Sequence, residues 1–172
     1  VSARVESLGK LDYIIEEYPD DYFRYIFVDE AHRFRNDGTV NYTQLHKICV
    51  DKKVVLISAT PQNNYSSDIF NLIKLFQPKN NSSIVEEEPD LERFFSMLHN
   101  KEKVAKKLVK DNPTEENKSK LNEIIKENSA QIRDKVLRKI MVRRVRSEIV
   151  KYYTDDMNKQ GLTFPKLGTP EQ

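Results

Sequence analysis

Two short apolar runs limit the folds open to this chain. "FRYIFV", 23–28, and "KVVLISA", 53–59, have the β-branched and aromatic character of buried strands. Between them lie a polar loop containing Asn36-Asp37-Gly38 and the segment "NYTQLHKIC", a short helix with Leu45, Ile48 and Cys49 on its inner face. Strand, loop, helix and strand within about 35 residues is the size of a βαβ unit, in which the two strands run parallel.

Both strands end in residues suited to chemistry. Asp29-Glu30-Ala31-His32 follows the first and Ser58-Ala59-Thr60 ends the second. Ligands of open α/β sheets sit outside the carboxyl ends of the strands. An unpaired carboxylate is costly to bury, so acids at such a place have a cation or a task. Phosphoryl transfer needs a hard oxygen ligand for Mg²⁺ and a carboxylate to orient or activate water. Adjacent residues at a strand end point in different directions, so one acid can serve the metal and the other the water. The acidic segment alone also reads as a helix start with capping acids, and the hydroxyl segment alone as a turn cap. Their pairing across a single helix is what makes the signal specific.

Elsewhere the pattern is mostly helical. Residues 5–17 place Leu8, Leu11, Ile14 and Ile15 at helical spacing before "YPDD" breaks the run, and residues 2–6 also permit a third strand. A helix over roughly 66–76 carries Ile69, Phe70, Ile73 and Phe76 and stops before Pro78. After a polar loop, 91–150 reads as helix interrupted at Asp111-Asn112-Pro113, with Thr114, Glu115 and Glu116 restarting it. Leu121, Ile125, Ile132, Val136 and Ile140 form a stripe that calls for a helical neighbour. Beyond 150 periodicity fades and glycine and proline return, as in an exit linker. The expected organisation is therefore 1–90 as an α/β part with a small parallel sheet, 91–150 as a mostly α-helical segment, and 151–172 as a linker.

Composition excludes several classes. At 172 residues and a net charge of +2 there is no global polyanion-binding signature, so any nucleic-acid surface is local. The one cysteine, Cys49, rules out an internal disulfide and fits a reducing compartment. No run has membrane-spanning length and the first residues lack a signal-peptide core, so the expected location is cytoplasmic, with no membrane partner. His46 and His99 sit on helical patterns and read as surface or core residues rather than ligands. The basic run from Arg133 to Arg146 either meets phosphates or is a solvated helix face, the latter being favoured for its first half. The Lys-, Asn- and Ile-rich composition points to a bacterial source.

The order "VDEAHRFRND", "VVLISATPQNN" and "DIFNLIKLFQP", followed by "RRVRSEI" and "FPK", resembles the first RecA-like lobe of superfamily 2 helicases and translocases. The nearest likeness is to their Swi/Snf-type branch of double-stranded DNA translocases. The resemblance covers most of the chain, but 91–142 only in general character. It implies a partial RecA-like, P-loop NTPase lobe with a DEAH-type motif and an S-A-T motif. Carried over, it gives Asp29 to Mg²⁺ through water, makes Glu30 the catalytic carboxylate, and has His32 link the nucleotide site to Ser58, Ala59 and Thr60. Gln62, Asn63, Arg143 and Arg144 become cleft or DNA contacts. ATP, Mg²⁺ and double-stranded DNA are the implied cofactors and partner. Alternatives are a DEAH- or DEAD-type strand-separating helicase and a degenerate ATPase fold whose helices recruit a protein partner.

One part is missing from the pattern. A phosphate-cradling G-x-x-x-x-G-K-[ST] loop is absent; of Gly9, Gly38, Gly161 and Gly168, only Gly9 precedes a lysine, and "LGKLD" lacks the rest. The expectation is a fragment that begins after the nucleotide loop, ends at the hinge between lobes and hydrolyses no ATP alone. Open sheet edges would then be covered by the helical segment or by self-association.

Overall fold

The computed structural model describes residues 3–59, 65–84, 90–143 and 146–163. Strands β1 (Tyr25–Val28) and β2 (Lys53–Leu56) pair in parallel, with Ile26 opposite Val54 and Val28 opposite Leu56. Alternation puts those four on one face, where they pack with Leu11, Leu45, Cys49 and Leu72. The opposite face carries Tyr25, Phe27 and Val55, all exposed, with Phe27 at 67%. Helix α1 (Leu11–Glu17) precedes β1, and α2 (Val40–Cys49) makes the crossover. Thr39 caps α2, its hydroxyl accepting from Tyr42 N–H at 3.2 Å.

Both strands are shorter than the sequence pattern predicts, spanning four residues each in place of 23–28 and 53–59. Residues 3–7 are neither strand nor helix, so a third strand there is not formed. Helix α1 starts only at Leu11, after a 3₁₀ turn over Leu8–Lys10 that contains Gly9, a poor helix former.

Helix α3 (Ser66–Ile73) stops before the predicted 76. Helix α4 (Leu91–Asp111) is capped by Asp90, whose carboxylate accepts from Arg93 N–H at 2.9 Å. After the break at Asn112-Pro113, α5 (Glu115–Ile132) begins with Thr114 as cap. A π-helical turn (Arg133–Leu137) and the short α6 (Arg138–Ile140) continue it. Leu91, Phe94, Phe95, Leu98 and Ala105 of α4 are buried, as are Ile132, Val136 and Leu137. Phe95 stacks on Phe70 of α3 with ring centroids 4.8 Å apart. His46 and His99 are exposed. Arg133 and Arg138 both reach Asp134 on an exposed surface, the solvated helix face favoured above.

The chain divides into two compact units, Val1–Lys139 and Ile140–Gln172. In the second, α7 (Arg146–Lys159) runs across residue 150, where periodicity fades in the sequence. Gly161 ends it, taking φ 65°, while Leu162 N–H donates to Met157 O at 2.9 Å and Gly161 N–H to Asn158 O at 3.2 Å. This is the glycine stop of a helix. Among the described residues no helix is long and apolar enough to cross a membrane.

Cys49 is buried, and burial pushes its thiol up to about 12. Since the thiolate is the reactive form, Cys49 is expected to resist alkylation in the folded chain at mildly alkaline pH and to react fully after unfolding. Mass spectrometry of iodoacetamide-treated samples, with and without urea, checks this.

Candidate functional site at the carboxyl ends of the strands

The site is assembled by the backbone of one residue. Ile57, just past β2, donates its N–H to Val28 O at 2.8 Å and accepts Ala31 N–H on its own carbonyl at 2.9 Å. The acid turn after β1 and the serine turn after β2 are thereby stitched together. Ala31 is fully buried, so the turn is also held from below by packing.

Between Val28 and Ala31 the chain must reverse within two residues. Glu30 does this in the left-handed region, at φ 51° and ψ 41°. That conformation is uncommon for a residue with a Cβ and costs on the order of 1–2 kcal/mol. Asp29 supports the turn, its Oδ1 accepting from Glu30 N–H at 2.8 Å. Both acids are exposed at the strand end.

His32 is the second residue of the following 3₁₀ turn (Ala31–Phe34), and its ring comes back to Glu30. Its Nδ1 lies 3.1 Å from Glu30 Oε2 and 3.5 Å from Ser58 Oγ. Both oxygens thus approach the same ring nitrogen. Glu30, His32 and Ser58 form one polar cluster across the two strand ends. Ala59 is exposed beside it.

The loop after the acids is tied to α3. Asn71 Nδ2 donates to Arg35 O at 2.7 Å, Tyr42 Oη donates to Asn71 O at 2.8 Å, and Lys74 Nζ meets Asp37 Oδ2 at 2.6 Å. The hydrogen bond from Lys74 holds the Asp37 carboxyl below its ordinary value, while burial pushes the Asp68 carboxyl up against the opposing charges of Arg35 and Lys106.

Of the other residues singled out in the sequence, Thr60, Gln62, Asn63 and Arg144 lie outside the described residues. Arg143 is exposed and belongs to the second compact unit. Sequence reasoning missed the stitch at Ile57, which leaves no side-chain signal. It also missed Glu102, which occupies an inner position of α4 between Leu98 and Ala105 and is 1% exposed. A charged residue on a core stripe was the available clue.

Asp29 and Glu30 are hard oxygen donors, and no group of three potential metal-ligating side chains occurs among the described residues. Such a donor set fits Mg²⁺, which keeps several waters and takes one or two carboxylates together with substrate phosphates.

A parallel βαβ unit with acids closing its first strand and a serine turn closing its second has the layout of a partial RecA-like lobe. A family model described as the SNF2-related domain matches residues 5–161, and the chain belongs to that family. It is 40% identical over 53 residues to an uncharacterised ATP-dependent helicase, YqhH, of Bacillus subtilis strain 168. That match covers 31% of this chain and 9% of the relative. No solved structure matches.

Glycine has no Cβ to oppose a left-handed conformation. Glu30→Gly is therefore expected to leave the folded chain at least as stable, with a gain of up to about 1 kcal/mol after the entropy of the unfolded glycine is subtracted. Urea denaturation followed by circular dichroism checks the sign.

Proposed function

We propose that this chain is part of the first motor lobe of an ATP-driven translocase acting on double-stranded DNA, in cytoplasm. The observation that carries the reading is the cluster of Glu30, His32 and Ser58 at the carboxyl end of two parallel strands. Membership of the SNF2-related family and the helicase name of the relative support it.

In this reading Asp29 holds Mg²⁺ through bound water. When bound, that ion neutralises charge on the phosphates of ATP. Glu30 orients the attacking water and accepts its proton. His32, whose Nδ1 is near both Glu30 and Ser58, ties that carboxylate to the serine turn. Ser58, Ala59 and Thr60 carry the state of the nucleotide toward the DNA-contacting parts of the motor. Gln62, Asn63, Arg143 and Arg144 are assigned to cleft or DNA contacts on resemblance alone. No G-x-x-x-x-G-K-[ST] loop occurs in this sequence, and the chain alone is assigned no turnover.

A second reading, a non-enzymatic interaction module, draws on the groove between α4 and α5, where Met97, Val104 and Leu108 are exposed beside Ile124. The readings separate in the full-length protein. Glu30→Gln keeps the shape and removes the base, so DNA-stimulated ATP turnover is expected to fall about 100-fold or more while ATP binding persists. Retained turnover would defeat the assignment, and the 172-residue chain serves as the inactive control.

The open outer face of the sheet, Tyr25, Phe27 and Val55, further supports self-association of this chain when isolated. Sedimentation velocity is expected to show dimers that Phe27→Lys returns to monomers; a monomer at all concentrations refutes this.

A further inference from the structure

A buried polar cluster lies away from the candidate site and is not used by the mechanism above. Glu102 of α4, Asn128 of α5 and Ser66 at the start of α3 are each 2% exposed or less. Glu102 Oε1 accepts from Asn128 Nδ2 at 2.9 Å and from Ser66 N–H at 3.2 Å. Its Oε2 accepts from Ser66 Oγ at 3.1 Å and shares the same backbone N–H at 3.3 Å. Asn128 Nδ2 also donates to Leu98 O at 3.0 Å. Among the described residues no buried side-chain polar atom lacks a partner, so the cluster is complete.

A buried carboxylate is normally a liability, and only full satisfaction makes it tolerable. Here it does a job that α3 leaves undone. The residue in the cap position of α3, Tyr65, gives no side-chain hydrogen bond to the helix. The first-turn N–H groups of a helix need acceptors and favour negative charge. Glu102 supplies both from another helix. One turn further along α4, Lys106 Nζ sits 3.1 Å from the centroid of the Tyr65 ring. Helix α4 therefore grips both Tyr65 and Ser66.

The place of that grip matters. Tyr65 and Ser66 open α3, and the rest of that helix reaches the candidate site. Helix α3 in turn holds the loop after the acids through Asn71 and Lys74.

We propose that Glu102 is a positioning residue of the motor: by fixing the start of α3 to α4 and α5, it sets how strongly events on the helical segment are felt at the loop after the acids, which α3 holds at Arg35 and Asp37. This rests on the motor reading above. Glu102 touches no reacting atom, so its loss acts on the coupling between DNA and ATP turnover and not on basal turnover.

The test uses the full-length protein and measures basal and DNA-stimulated ATP turnover with melting temperature. Glu102→Ala is expected to cut the stimulated-to-basal ratio about tenfold, within the usual range for coupled sites, with basal turnover little changed. Glu102→Gln is expected to restore the ratio, since its amide oxygen can accept from Asn128 and Ser66 N–H while its NH₂ donates to the serine hydroxyl. Should Glu102→Ala fail to fold, the double variant Glu102→Gln with Ser66→Ala serves instead. It strands the amide NH₂ without an acceptor and is expected to lose the ratio that each single change keeps. Parallel falls in both rates and in melting temperature would overturn the proposal, as would an unchanged ratio or a Gln variant as impaired as Ala. If the unaltered protein shows no DNA stimulation, the motor reading itself falls, and this role with it.

Discussion

Ile57 uses both of its backbone polar groups to cross from one strand to the other, and the rest of the site follows from that. Its N–H extends the ladder by one bond to Val28, and its carbonyl then reaches over to Ala31. Strands of only four residues would otherwise leave their ends free to fray. With the second bond in place, the acid turn and the serine turn share one rigid corner. Because both bonds are main chain, side-chain substitution at position 57 leaves them available. The side chains of Glu30, His32 and Ser58 meet because the backbone has already brought their carriers within reach.

Helix α3 links the two cores of the first unit. Leu72 and Leu75, at and just beyond its end, join the cluster under the sheet. Phe70 stacks on Phe95 of α4, and Ser66 is held by Glu102 and Asn128. Residues on different faces of one short helix thus belong to different clusters. Close-packed interiors transmit displacement poorly by bending and well by shifting whole elements. A displacement of α4 would therefore reach the acid loop through α3, which bonds to that loop at Arg35 and Asp37.

Much of this was legible in the sequence, and the reasons differ by element. The two strands stood out as dense apolar runs, although only one face of the sheet is packed and Tyr25, Phe27 and Val55 are exposed on the other. The helices of the 91–140 region were visible through their stripes and through Thr114, whose hydroxyl does cap α5. The adjacency of the two strand ends followed from the handed, parallel crossover. What stayed hidden depended on backbone geometry or on contacts far apart in sequence. Nothing in "DEAH" announces that Glu30 adopts a left-handed conformation. Glu102 looks like an ordinary surface acid until its place on the α4 stripe is counted. The helix over 146–159 was masked by its own stop signal, since Gly161 reads equally as flexibility and as a cap.

The buried alanine of the acid turn separates two demands written into the same four residues. Ala31 has no exposed surface, so its size is fixed by the space beneath it, whatever chemistry occurs above. Glu30 is the opposite: its backbone would be easier for glycine or asparagine, and only its carboxylate favours keeping glutamate. Under the motor reading proposed above, a descendant of the parent protein that lost nucleotide hydrolysis would be expected to drift at position 30 first and to hold its alanine long afterwards. Within this family, the acid would then record the engine at work and the alanine merely the shape of its housing.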